Sequence, residues 1–245
     1  MGRTTGKITR YWTKKDINFL EKNWRLSSVK LAHLMKRDMH GVVDKRKALN
    51  LPARECDIVP LTNRQRDIIY GSLLGDGSIV KGKEDKNYRF SEAHSIKQKE
   101  YLLFKHKELE PFSGKFIEYW GRYGKEVKFS SKAHPIFKDL RKMFYTAEGK
   151  KTVKDASLIK IINPLSLAIW FGDDGNKEKY SYRIATGAFS VREIKRLIRW
   201  LKGCFNINSY LHKHGKYWYL LIREDRRKFA KLIFPYLHKG LRYKL

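Results

Sequence analysis

Two apolar segments set the terms on which this chain can fold. Ile69–Gly77 reads IYGSLLGDG and Leu167–Gly175 reads LAIWFGDDG; each has a helical pattern that stops abruptly in Asp-Gly, and Asp76 and Asp174 stand 98 positions apart. An acid at a helix carboxyl end faces the negative pole of the helix dipole, which costs about 0.3–1 kcal/mol even when exposed, so both ends predict a compensating cation. Small residues recur four apart, Gly71 with Gly75 and Ala168 with Gly172, and would let two helix backbones approach closely. Taken singly, Gly77 or Gly175 reads as an ordinary helix stop. Recurrence at equivalent places in two repeats favours paired use instead. Packed side by side, the helices would bring Asp76 and Asp174 to one end, where neighbouring carboxylates need a shared proton or a divalent cation. Oxygen-only ligands beside a basic surface suit Mg²⁺, with Mn²⁺ as a substitute.

The segments around the two motifs repeat the same order. In the first copy a helix from Asn63 to Gly75 precedes a strand at Tyr88–His94, a helix at Lys97–Glu110, a hairpin turning near Gly121–Gly124, and a helix beginning near His134. The second copy runs from a helix at Pro164–Asp173 through a strand at Tyr182–Phe189 and a helix at Val191–Lys202. A hairpin turning at His214-Gly215 and a helix at Asp225–Leu237 complete it. The fold class is therefore α+β, two αββαββα repeats at 63–155 and 156–245, and the chain is expected to be a monomer with internal pseudo-two-fold symmetry. Ahead of them, residues 1–52 read as three short helices, with Thr13-x-x-Asp16 as a capping pattern and a basic third helix carrying Lys45, Arg46 and Lys47. Such a helix-turn-helix unit would lay its last helix in a major groove. Residues 53–62, with two prolines in the surrounding stretch, read as the linker.

Charge narrows the partner. The chain has 54 Lys and Arg against 25 Asp and Glu, a net charge of +29, with 42% hydrophobic residues. That composition supports a packed core, so the charge belongs to a folded surface, and nucleic acid is the polyanion such a surface most commonly meets, with double-stranded DNA implied by the major-groove helix of the first unit. No apolar stretch approaches the roughly 20 residues that span a bilayer, which argues against a membrane protein. The amino end has no signal-peptide core and only two cysteines are present, so a reducing, cytoplasmic setting is expected. His94, His106, His134, His212, His214 and His238 lack compact metal-site spacing, and Lys150 and Lys151 read as a solvated connection between repeats.

Over about Leu61–Leu245 the chain resembles the LAGLIDADG homing endonucleases in their single-chain, two-motif form, carried by IYGSLLGDG and LAIWFGDDG. The amino-terminal pattern resembles small helix-turn-helix or Myb-like modules found beside mobile-element nucleases. The family resemblance implies a site-specific nuclease that cuts both strands of a long asymmetric target, leaving short 3′ overhangs. It places Asp76 and Asp174 as catalytic metal ligands, with Gly75 and Asp173 in the candidate metal set. Asp173 is the alternative ligand, because a register on the small residues would select it. Lys132 resembles the family's basic-pocket lysine and Lys99 falls near another pocket position, whereas Arg223 or Glu224 occupies the matching place in the second half. Sheet strands would read the major groove, with Arg89, Arg122, Lys125, Lys128, Arg183, His212, Lys216 and Arg223 as candidates beside Lys45, Arg46 and Lys47. An intron RNA maturase or a non-cleaving DNA-binding regulator on the same fold remains the alternative.

Overall fold

The computed structural model describes residues 11–51, 59–82, 87–122, 124–154 and 162–245. Most of the expected linker, 53–58, and the expected junction between repeats at 155–156 lie outside them. The chain forms two compact units, Met1–Pro60 and Leu61–Leu245.

In the first unit, α1 (Lys14–Lys22), α2 (Ser28–Met35) and α3 (Met39–Ala48) enclose a small core of Leu20, Leu31, Ala32, Met35 and Val42. Helix α1 starts where Thr13 and Asp16 close a reciprocal capping box, and Ser27 and Asp38 cap the next two. One expectation fails here. Arg46, read as a DNA contact, is 2% exposed and donates to the carbonyls of Trp24 at 2.7 Å and Leu26 at 2.9 Å. It lies one turn beyond buried Val42, so helical geometry turns it inward while Lys47 points to solvent.

The second unit contains the two repeats. The first comprises α4 (Asn63–Leu74), β1 (Ser78–Val80), β2 (Arg89–Ser95), α5 (Lys99–Glu108), β3 (Ser113–Gly121), β4 (Gly124–Ser131) and α6 (Ile136–Phe144). The second comprises α7 (Pro164–Asp174), β5 (Gly175–Lys177), β6 (Tyr182–Ala185), α8 (Val191–Phe205), β7 (Tyr210–His214), β8 (Tyr217–Ile222) and α9 (Arg226–Ile233). Each forms a four-stranded antiparallel sheet, in the orders β1-β2-β4-β3 and β5-β6-β8-β7. The three-residue strands β1 and β5 were not separable in sequence, because three residues show too little alternation. The strand expected to run to Phe189 stops at Ala185, and the chain then turns to the Ser190 capping box of α8.

Helices α4 and α7 pack face to face; α7 is buried from Leu165 to Gly172, and α4 is buried through its last turn, Gly71 to Leu74. A Cβ on Gly71 would sit 2.7 Å from the Cβ of Ile169, and one on Gly75 would sit 2.6 Å from that of Asp173. Only glycine admits that approach. Gly172 does not share it: the space beside it belongs to the Tyr101 hydroxyl, 2.8 Å from where its Cβ would be.

Candidate active site

The close approach fixes which residues are equivalent. Gly71 meets Ile169 and Gly75 meets Asp173, each pair 98 positions apart, as expected when counterparts face each other across a pseudo-two-fold axis. Asp76 and Asp174 are the next pair in that register. Burial, then the charges of Asp76 and Asp173, push the Asp174 carboxyl up to about 7. The geometry thus brings the two motif acids into electrostatic contact at adjacent helix ends, and Asp173 stands where the first motif has Gly75.

Asp173 is held otherwise than its neighbour. Its carboxylate accepts from Lys105 Nζ at 2.8 and 3.1 Å and from the Tyr101 hydroxyl at 2.7 Å, both on α5. Lys105 also donates to Ser72 Oγ at 2.8 Å and to Glu92 Oε1 at 2.5 Å. Burial alone would lower the Lys105 ammonium, but Asp173 and Glu92 hold it above its usual value. Glu92, on β2, is therefore buried within an ion network.

His94 joins that network from β2. Its Nε2 lies 2.7 Å from Glu92 Oε1, its Nδ1 lies 3.0 Å from Gln98 Oε1, and Nδ1 approaches Asp76 Oδ2 at 3.6 Å. One ligand atom each from Asp76, His94 and Asp173 falls within 4.8 Å of the others. Histidine spacing in sequence gave no sign of this, yet Phe90, Glu92 and His94 alternate on one face of β2 and so point inward together.

The cations predicted for the helix ends are Lys151 and Lys244. Lys151 Nζ donates to the Gly75 carbonyl, and Lys244 Nζ to the Gly172 carbonyl at 2.6 Å. Burial lowers both ammonium groups, while Asp174, Asp76 and Asp173 pull the other way. Lys151 is thus no solvated connection: it and Lys244 return at equivalent ends of their repeats to cover the negative pole of each motif helix.

The donors suit a divalent cation. Asp76, His94 and Asp173 each offer one atom to a common place, and Asp174 is held near neutrality first by burial and then by the charges of Asp76 and Asp173, the part that a cation would relieve. Of the expected pocket lysines, neither reaches the acids in the described contacts. Lys132 donates to the Pro111 carbonyl at 2.7 Å, and Lys99 pairs with Glu118 at 2.7 Å.

The strand register also sorts the sheet candidates. On the open face of the first sheet stand Arg89 and Lys128, whereas Lys125 shares the face of Val127 and Phe129 and pairs with Glu118 at 2.6 Å. Arg122 is exposed at the hairpin tip. Arg183 and His212 lie on the open face of the second sheet, with Arg183 4.8 Å over the Tyr219 ring; Lys216 and Arg223 are exposed beside β8.

The comparisons with known proteins agree with this geometry. Residues 66–229 match the LAGLIDADG DNA endonuclease family. The chain is 32% identical over 198 residues to the cytochrome b mRNA maturase bI2 of Debaryomyces hansenii, covering 76% of this chain and 75% of that protein. It is also 32% identical over 210 residues to the DNA endonuclease I-ChuI of Chlamydomonas applanata, covering 76% and 95%. The solved structure of the homing endonuclease I-WcaI bound to its DNA recognition sequence superposes with a TM-score of 0.69 at 25% identity, over 78% of this chain and 89% of the other. Two buried helices that meet glycine-first and end in paired acids, on a duplicated α+β frame, place this chain in the LAGLIDADG DNA endonuclease family.

Proposed function

We propose that the chain is a homing-type endonuclease that hydrolyses both strands of a long DNA site, with Asp76 and Asp174 as its metal-holding catalytic residues. The convergence of one acid from each repeat at a single pair of helix ends carries this reading. A divalent cation, Mg²⁺ or Mn²⁺, would supply an activated water and charge stabilisation at the attacking and leaving oxygens. The protein's part is placement. Asp76 offers an exposed carboxylate and Asp174 a mostly buried one, so the pair presents one wet and one dry oxygen donor. Lys151 and Lys244 hold their ammonium groups beside these acids through backbone carbonyls, where they would neutralise negative charge gathering on phosphate. Lys132 and Lys99, engaged elsewhere, are assigned to sheet support instead of catalysis.

Base reading is assigned to Arg89, Lys128, Arg183 and His212 on the open sheet faces, and a further backbone contact to Lys45 and Lys47 of the first unit. The test is end mapping on a DNA pool with Mg²⁺, Ca²⁺ or EDTA. Asp76→Asn together with Asp174→Asn should lower cleavage by at least about a thousandfold while leaving retention on DNA intact; undiminished cutting by that variant ends the assignment. A second reading, action on intron RNA, is favoured by one observation, the 32% identity to an mRNA maturase over most of both chains.

A further inference from the structure

The two repeats clothe their helical layers differently. In the first, charges of both signs are mixed and pair: Lys99 with Glu118, Glu108 with Arg64 at 2.7 Å, and Lys142 with Asp139 at 3.8 Å. From Val191 to Leu245 there are fifteen Lys and Arg but three acids. All three acids are engaged. Glu193 caps Ser190 and binds Thr152, Asp225 accepts from both nitrogens of Asn208 at 2.7 Å, and Glu224 bonds Tyr210.

Helix α8 concentrates the imbalance. Arg192, Lys195, Arg199 and Lys202 are exposed at spacings of three, four and three, which sets them along one face for about 15 Å. Arg196, between them, is turned aside to the carbonyls of Val153 and Lys154. The opposite face of α8, with Ile194, Leu197, Trp200 and Leu201, is buried, and the helix packs on β7 and β8. The stripe therefore lies on the far side of the sheet from Arg183 and His212, and a straight duplex lying on the open face would not reach it.

At the end of the stripe a cavity of about 380 Å³ opens between α8 and α9, lined by Cys204, Phe205, Ile207, Lys228, Lys231 and Leu232. An apolar recess with an aromatic edge and two ammonium groups suits an unstacked base with its phosphates. Duplex DNA offers no such base, whereas the loops and bulges of folded RNA do. We propose that the outer face of α8, with the Phe205 cavity, is a second nucleic-acid site that takes folded RNA while the sheets hold DNA. This rests on the RNA reading above and gives that reading a surface of its own.

The test uses the full chain carrying Cys56→Ser, so that Cys204 at the cavity is the sole thiol reporter, with bulk tRNA as folded RNA and a random-sequence duplex as DNA. The RNA should slow alkylation of Cys204 at least about fivefold, with or without saturating duplex, and the duplex alone should not. Arg192→Gln, Lys195→Gln, Arg199→Gln and Lys202→Gln together should weaken tRNA binding at least about tenfold and leave duplex binding within about twofold. If that variant fails to fold, the protection measured on the chain with α8 intact decides. RNA that binds but is displaced by duplex overturns the separate surface and leaves the RNA reading standing; an absence of RNA binding removes both. Equal protection by duplex overturns the proposal in favour of DNA wrapped onto the helical face.

Discussion

The two repeats share an order of elements but not a kind of core. Inside the first, β2 and α5 point Glu92, His94 and Lys105 at one another. In the second, the matching strand β6 turns Tyr182 and Ile184 inward, and α8 offers Ile194, Leu197, Trp200 and Leu201. The reason is visible at the helix seam. The second motif carries Asp173 where the first has Gly75, and this acid is driven into the first repeat's side of the interface. A buried carboxylate is tolerable only if paired, so the first repeat holds the lysine, and Glu92 and His94 balance that lysine in turn. Duplication has produced two halves whose differences compensate one another.

The strongest way to break this comparison is Lys105→Met, which leaves Asp173 and Glu92 without their cation. It should destabilise the second unit by about 3–5 kcal/mol in urea unfolding; a loss under about 1 kcal/mol would show that the network is replaceable by apolar packing. Gly71→Ala tests the seam itself. Its methyl would meet Ile169 and the Ser166 backbone, and a loss of about 1–3 kcal/mol is expected, with no comparable loss for Gly203→Ala, which faces open space.

The smallest effect is the change that Asp76→Asn makes to a pH response of the metal-free protein. Folded Asp174 keeps a proton, up to about pH 7, that the unfolded chain releases near pH 4, so its contribution makes stability fall as pH rises between those values. Burial is the larger cause and Asp76 the lesser. Asp76→Asn should therefore flatten only part of the slope, by less than about 1.4 kcal/mol, as urea midpoints at pH 5 and 8 would measure.

Much of this is legible in the sequence. The recurrence of the Asp-Gly ends 98 positions apart points to the paired helices, and Gly71 and Gly75 do face the partner helix, whereas Gly172 of the same small-residue pattern faces Tyr101. What escaped was of two kinds. Lys151 and Lys244 are recruited by chain segments returning from a distance, and no local pattern marks a lysine that will meet a carbonyl 76 or 72 positions earlier. Arg46 and Lys105 did carry a local signal. Each occupies the inward face of its helix, one turn from Val42 and Tyr101 respectively, and their charge concealed it. Lys132 rests on resemblance alone, which does not register that its ammonium donates to the Pro111 carbonyl.

The clasp between Asp173 and Lys105 also bears on recombining such enzymes. A chimera that joined this chain's second repeat to a foreign partner would import an orphan acid into the graft seam, and the reverse exchange would strand a lysine. Specificity swaps between relatives would have to move these two positions together, which makes them a compatibility code for the halves.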